Sequence, residues 1–251
     1  MQSVKAIVLG LVQGFTEFLP VSSSGHLILL EQAGLTEPSV FLNVMLHLGT
    51  LLSVFFVFYK QIFYMLRHPI KSDLRYILIA SIPTGIIAIL FKTFLEEYLT
   101  GKFLPLFFMV SAVVLILSSY FSTNKNRTLS FKNSLLTGVM QGIAVLPGIS
   151  RSGITVSTLT MLGVDKKKAM DFSFMLSIPI ILASVAMELV TLDKSGVGVI
   201  EPIPLMVGMA FSFLGGVISL TLLYKAIKKS SFLWFGIYLA VLSLVTLFFY
   251  F

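Results

Sequence analysis

The sequence predicts an all-α polytopic membrane protein: six transmembrane helices plus two re-entrant helix-turn-helix hairpins, arranged as an inverted-topology repeat within a single membrane domain over 1–251. Three observations carry that prediction. Hydrophobic residues make up 57% of the chain and charged residues only 12%, whereas a soluble globule has roughly 25% charged. One unusual segment occurs twice, as Gly10-Leu-Val-Gln-Gly-Phe-Thr-Glu-Phe-Leu-Pro-Val-Ser-Ser-Ser-Gly-His26 and as Gly138-Val-Met-Gln-Gly-Ile-Ala-Val-Leu-Pro-Gly-Ile-Ser-Arg-Ser-Gly153. The loop cations gather on one side of the bilayer only if both copies enter it and turn back.

Taken in order, residues 1–9 offer Lys5 and a short apolar run without a small-residue cleavage site, so no removable signal peptide is expected. The first motif copy follows, apolar enough to enter the membrane but broken by Pro20 and a run of hydroxyls. Non-helical backbone at that depth is tolerated only where protein buries it or a wet cavity receives it. Apolar spans then fall at about 40–59, 76–91 and 104–121, and, after the second copy, at about 172–192, 203–224 and 232–251. Each approaches the ~20 residues that cross a bilayer core. Tyr59, Tyr64, Tyr76, Tyr98, Tyr224 and Trp234 lie near span ends, where amphipathic rings suit the interface.

Charge decides the topology. With re-entrant hairpins, the loops at 60–75, 122–132, 162–171 and 225–231 share one face and carry 13 Lys and Arg, leaving Lys5, Lys92, Lys102 and Lys194 on the other. If both segments crossed instead, the same residues would divide 9 against 8. Only the first arrangement obeys the positive-inside rule; it puts both termini outside the cytoplasm, the first hairpin entering from outside and the second from inside. The net charge of +7 is thereby explained without a nucleic-acid partner, and the absence of Cys excludes disulfide and thiolate chemistry.

The halves echo one another beyond the motif. Met45-Leu-His-Leu-Gly-Thr-Leu-Leu-Ser resembles Met175-Leu-Ser-Ile-Pro-Ile-Ile-Leu-Ala, and Ile79-Ala-Ser-Ile-Pro-Thr-Gly is weakly echoed by Met209-Ala-Phe-Ser-Phe-Leu-Gly. Repeat 1 spans about 1–122 and repeat 2 about 123–251, each a hairpin and three crossings. An odd number of crossings inverts the second repeat, and inverted repeats with broken helices place their site near the bilayer midplane.

The differences between the motif copies carry chemistry. Glu17 stands alone among apolar neighbours, where an acid costs about 2.5–3.5 kcal/mol at a helix centre, so it is functional or paired, with Arg151 as the candidate partner. Gln13 lies four residues earlier, on the same helical face. Pro20 ends the first half-helix; Ser22, Ser23 and Ser24 then supply hydroxyls and N–H groups before a second half-helix starting near Gly25, an N-terminus that favours an anion. His26 opens that helix as a candidate acid, base or metal ligand. In the second copy Pro147 and Gly148 permit a sharp bend, and Ser150, Arg151 and Ser152 occupy the matching turn, with Thr155 one turn on. The rigid guanidinium fork suits phosphate oxygens. Brought into one cavity, these groups suit phosphoryl transfer from a membrane-borne substrate, with Ser and His attacking and Arg and a metal steadying charge. Asn43, His47, Asp171 and Glu188 read as packing or interface residues, with His47 able to line the cavity; Lys166-Lys-Lys168 and Lys228-Lys229 read as anchors near anionic lipid. Residues 123–130 and 193–202 read as polar loops.

Gln13-Gly-Phe-Thr-Glu17-Phe-Leu-Pro-Val-Ser-Ser-Ser-Gly-His26 and Leu146-Pro-Gly-Ile-Ser150-Arg-Ser-Gly-Ile-Thr155 resemble the two signature motifs of the undecaprenyl-pyrophosphate phosphatase family, also called UppP or BacA. The likeness covers essentially the whole chain. It implies a hydrolase of the plasma membrane that converts undecaprenyl diphosphate to undecaprenyl phosphate and phosphate, recycling the lipid carrier of peptidoglycan synthesis, sustaining cell shape and giving bacitracin resistance. It also implies a divalent cation, Mg²⁺ or Ca²⁺, and an active site opening to the outer face. By motif position, Glu17 matches an acidic residue of the family, Ser23 its nucleophilic hydroxyl, His26 the base partner, and Arg151 with Ser150 and Thr155 the phosphate-binding group; Ser22, Ser24 and Ser152 join that group. Gln13 stands where many members have Glu, which leaves metal binding resting on Glu17. The attacking atom stays open among Ser23, His26 and water, and a homodimer stays open too. Ser-Gly-His26 and Ser150-Arg151 are also similar to pieces of the type-2 phosphatidic acid phosphatases, but the upstream Lys and Arg-Pro motif and the second His after Ser-Arg are missing. The rival from another class is a transporter or flippase of an anionic lipid, which uses the same inverted-repeat architecture.

Overall fold

The computed structural model describes residues 2–37, 39–94, 100–121, 127–195, 202–227 and 232–250. Tyr98, Lys228, Lys229 and the loop stretches 123–126 and 196–201 lie outside the described residues. Among the described residues there are ten helices and no strand: α1 (Gln2–Phe18), α2 (Ser23–Gln32), α3 (Val40–Arg67), α4 (Leu74–Phe94), α5 (Leu104–Phe121), α6 (Phe131–Ile143), α7 (Arg151–Met161), α8 (Lys166–Ser195), α9 (Pro202–Ile227) and α10 (Leu233–Tyr250). Five of them, α3, α4, α5, α8 and α9, are long and apolar enough to cross a membrane. The sixth expected span, α10, is apolar over Leu233–Phe248 and falls just short of that length. The chain is a multi-pass membrane protein by that count. Large apolar side chains such as Phe56, Ile82, Leu106 and Leu244 point outward, exposed, as lipid-facing positions require.

Several helices outrun the apolar runs that announce them. The carboxylate of Asp165 accepts a hydrogen bond from the Lys168 N–H at 3.1 Å, capping α8 early, so Lys166, Lys167 and Lys168 form its first turn rather than a loop. α3 continues to Arg67 through non-helical dihedrals at Phe58. Tyr224, expected at the interface, is tied down by donating its phenol proton to Asp171.

Both motif copies form helix–turn–helix pairs. α1 turns into α2 at 19–22, and α6 turns into α7 at 144–150. In each, a serine caps the second helix: Ser22 Oγ accepts from the Gly25 N–H at 3.4 Å, and Ser150 Oγ from the Gly153 N–H at 3.2 Å. Ser22 has φ 66°, the left-handed region, which no other described non-glycine residue adopts. Non-glycine residues persist there only where surrounding contacts hold them.

Glycine lets the first arm of each pair lie against a span without side chains between them. α1 packs on α9, where a Cβ on Gly10 would stand 2.3 Å from the Gly208 carbonyl oxygen; α6 packs on α4, where one on Gly138 would stand 2.1 Å from that of Ala80. Hydroxyls reinforce both seams: Thr84 Oγ1 donates to Gly138 O at 2.8 Å, and Ser219 Oγ to Phe15 O at 2.9 Å. Gly10 and Gly138, Gly208 and Ala80 are displaced along the chain by the same interval, which shifts the weak echo of Ile79–Gly85 by two residues from the alignment read from sequence. Finally, the two turns touch. Ser152 Oγ donates to Leu19 O at 3.2 Å, and Ser111 Oγ pins the second turn by donating to Gly148 O at 3.2 Å while accepting from Ser150 N at 2.9 Å.

A stability test separates close approach from mere helicity. Gly138→Ala forces Cβ into the α4 backbone and should cost about 1–3 kcal/mol, as overpacking does. Gly85→Ala, which meets nothing within 4 Å, should be neutral or stabilising by about 0.5–1 kcal/mol. Thermal unfolding of the detergent-solubilised variants reads both.

Candidate active site

The meeting of the two turns buries one carboxylate among three donors, with a histidine ring close by. Glu17, 5% exposed near the end of α1, accepts at Oε2 from Ser23 Oγ at 2.5 Å and from Gln13 Nε2 at 2.9 Å, and its Oε1 is paired with the Arg151 guanidinium. His47 Nε2 on α3 stands 3.5 Å from Oε2. Each donor has a local reason to be there. Gln13 precedes Glu17 by four residues on one helical face. Ser23 and Arg151 are the first residues of α2 and α7, directly after the capping serines, so the two copies deliver different side chains from the same register.

All of these residues but Gln13 border a cavity of about 180 Å³ lined by Glu17, Ser22, Ser23, Ser24, His47, Gln141, Ser150 and Arg151, with Ile149, Ile180 and Ile181 as its apolar side. That volume is below the ~300–1,000 Å³ of a drug-sized ligand pocket. It suits a small polar head group whose apolar remainder lies outside. The N-termini of α2 and α7 lie at the serine turns, with their first N–H groups capped by Ser22 and Ser150, and Arg151 brings a fixed positive charge that Glu17 offsets.

Other sequence candidates sit elsewhere in the neighbourhood. His26 is not among the cavity-lining residues. Its Nδ1 lies 2.8 Å from the Ser22 carbonyl, to which it can only donate, so Nε2 accepts from the Tyr238 hydroxyl at 2.7 Å; the two rings stack at 5.9 Å. Thr155 turns its hydroxyl to Ser173 at 2.5 Å and to the Arg151 carbonyl at 2.9 Å, and Ser152 is spent on Leu19 O. Asn43 donates to Glu31 at 2.9 Å, and its carbonyl receives His47 Nδ1–H at 2.7 Å, which turns His47 Nε2 toward Glu17.

Sequence reasoning passed over Gln141 and underweighted His47. Gln141, 2% exposed, lines the cavity, donates Nε2 to Thr84 Oγ1 at 3.2 Å and leaves Oε1 without a partner. The signal for it was the Gln-Gly pair shared by both motif copies. For His47 the signal was a histidine on an otherwise apolar span, one turn from Asn43.

A divalent cation finds oxygen donors here. No cluster of three His, Asp or Glu exists among the described residues. Gln13 Oε1 is buried and without a partner beside the Glu17 carboxylate. A carboxylate, an amide oxygen and serine hydroxyls form the hard set that Mg²⁺ and Ca²⁺ prefer, Mg²⁺ in particular being completed by substrate phosphates. Of these donors, Glu17 and the serines line the cavity, and Gln13 turns its amide nitrogen rather than its oxygen to Glu17.

Fold and site together define a multi-pass helical membrane protein with a small polar cavity built from two helix-turn-helix motifs. Comparison with known proteins makes this particular. Residues 6–245 match the profile of the bacitracin resistance protein BacA family. The chain is 39% identical to an undecaprenyl-diphosphatase of Treponema denticola, across 97% of this chain and 96% of that one. It is 38% identical to one of Christiangramia forsetii (99% and 98%) and 34% to one of Carboxydothermus hydrogenoformans (98% and 97%). The chain belongs to the BacA family.

The buried pair makes a sharp stability prediction. Removing one partner leaves the other charge buried alone, so Glu17→Gln and Arg151→Met should each cost about 3–5 kcal/mol, while the double variant should recover most of that loss. Unfolding of the three variants in one detergent measures the coupling; additive losses would mean the pair is not a unit.

Proposed function

We propose that the protein is an undecaprenyl-diphosphate phosphatase, a phosphoric anhydride hydrolase that splits the lipid diphosphate into undecaprenyl phosphate and phosphate. The family carries the substrate, and one observation carries the chemistry: a serine hydroxyl, Ser23, hydrogen-bonded to a buried carboxylate that is itself paired with Arg151. The distal phosphate enters the cavity against the N–H groups and hydroxyls of Ser22, Ser24 and Ser150. Arg151 moves from Glu17 onto the phosphate oxygens, and the freed carboxylate takes the proton of Ser23 Oγ. That oxygen attacks the terminal phosphorus, the bond to the bridging oxygen breaks, and undecaprenyl phosphate leaves with that oxygen. A water then attacks the phosphoserine; Ser23 Oγ departs with the proton Glu17 held, and phosphate carries the water oxygen and its protons.

His26 enters this reading as the residue that fixes the strained serine turn, holding the Ser22 carbonyl and held in turn by Tyr238. Ser152 and Thr155 hold the Arg151 turn in the same way. Glu17 would hold the divalent cation, which would supply charge neutralisation for the phosphate oxygens of the substrate when bound.

The same reading includes six crossings and two re-entrant hairpins in an inverted repeat, 1–122 and 123–251. Two features support it. At 1.5 Å per residue the ten-residue α2 and eleven-residue α7 are far shorter than a ~30 Å bilayer core. The α1/α9 and α6/α4 seams are counterparts in which each half supplies the span that receives the other half's hairpin. With the loop cations inside, both termini and the mouth of the cavity face outward, where a carrier lipid spent by cell-wall synthesis would be met.

Phosphate release from undecaprenyl diphosphate by the purified protein tests the assignment. Ser23→Ala and Arg151→Ala should each lower turnover by about 10³-fold or more, in the range seen when a nucleophile or charge-stabilising group is removed. A chelator should suppress release and added Mg²⁺ or Ca²⁺ restore it. His26→Ala should reduce turnover less than Ser23→Ala. Movement of the lipid without phosphate release would favour a transporter instead.

A further inference from the structure

A second and larger cavity, about 570 Å³, opens at the other end of the seam between α3 and α8. The candidate active site meets that seam at His47 and Ile180–Ile181; the second cavity meets it at Lys60–Met65 and Lys167–Met175, with the start of α4 closing the third side. Along α3 the two lie about 20 Å apart at 1.5 Å per residue. A layer of rings separates them, Phe18 on Phe174 at 5.5 Å and Phe58 on Phe174 at 6.1 Å.

Four lysines, Lys60, Lys71, Lys167 and Lys168, line this cavity. None forms an ion pair within 4.0 Å among the described residues. Three carboxylates share the lining: Asp165 caps α8, Asp171 accepts the Tyr224 phenol, and Asp73 stands just ahead of α4. The four lysines outnumber these carboxylates, so the lining carries a net positive charge that an anion seated there offsets. Beneath the amines the floor is apolar and closed, with Met65, Ile77, Phe172 and Met175 all buried. Beside it, Phe63, Leu66, Ile70 and Leu78 are exposed, so the rim adjoins a lipid-facing surface. Cationic rim, apolar floor and a lipid-facing opening match an amphiphile.

We propose that this cavity is a binding site for the phosphate head group of an anionic membrane lipid, on the face opposite the candidate active site. The four lysines take the phosphate, and the apolar floor takes the first carbons below it. Basic pockets between transmembrane helices bind such head groups elsewhere. The assignment is independent of the hydrolytic reading, since it uses no residue of the Glu17 cluster.

Native mass spectrometry of the purified protein, with phosphatidylglycerol and phosphatidylcholine offered in equal amounts, tests it. The wild-type protein should retain phosphatidylglycerol selectively, and the variant Lys60→Gln/Lys71→Gln/Lys167→Gln/Lys168→Gln should lose that selectivity by about tenfold or more. The four Lys→Arg replacements should keep it. If the fourfold Gln variant fails to fold, the pairs Lys60→Gln/Lys71→Gln and Lys167→Gln/Lys168→Gln should each lose part of the selectivity. Unchanged selectivity in the Gln variants would overturn the site. Full displacement of the lipid by millimolar inorganic phosphate would overturn the lipid as occupant in favour of free phosphate.

Discussion

The arrangement depends on one buried carboxylate. Glu17 belongs to the first motif copy, yet half of its coordination comes from elsewhere: Arg151 from the second copy and His47 from α3. A single ionised acid at this depth would be intolerable. Only when both turns are in place do the donors converge, so folding of the two motifs is coupled through the charge that each alone could not bury. The site and the tertiary contact are the same object.

That convergence needs backbones to approach more closely than side chains allow. Gly10 and Gly14 bring α1 onto Gly208, Ser212 and Gly215 of α9, and Gly138 and Gly142 bring α6 onto Ala80 and Ile87 of α4. In a membrane, where apolar contact with lipid is no worse than contact with protein, small residues and inter-helix hydrogen bonds supply the preference for association. Thr84 to Gly138 O, Ser212 to Leu46 O and Ser219 to Phe15 O are bonds of this kind. The glycines thus act at a distance on the chemistry, by setting where the turns that follow them stop.

Much of this was legible in the chain. Composition named the membrane, the repeated Gly and Gln-Gly frame named the two turns, and the lone acid and lone arginine named the pair that joins them. What escaped was set by rotamer and by tertiary contact. Nothing in the sequence around His26 tells that its ring stacks on Tyr238, over two hundred residues away, rather than facing Ser23. His47 differs from an ordinary packing histidine only because the Asn43 carbonyl fixes which nitrogen turns toward Glu17. Thr155 sits one turn beyond Arg151 as expected, but its hydroxyl faces Ser173 on α8, a partner that only the folded chain brings near. The limits of α8 were misread for a simpler reason: Asp165 starts the helix ahead of its apolar run, and three lysines follow in the first turn.

The two motif copies are alike where they cap a helix and differ where they meet. Ser22 and Ser150 kept one duty, capping the helix that follows, and the next position was free to change because it opens the helix at the meeting point of both turns. One copy placed a hydroxyl there and the other a guanidinium, and both reach the same carboxylate from opposite sides. Val145, the counterpart of Glu17, carries no charge; an acid there would put two carboxylates into one small cavity, where they would repel one another. Gln13 and Gln141 did not diverge in type, but their partners did: one donates to Glu17 and the other to Thr84, and each leaves a carbonyl oxygen unmatched. Such buried orphan acceptors cost about 1–3 kcal/mol apiece. That both copies keep such an acceptor at the same position marks the Gln-Gly frame as more than a packing motif.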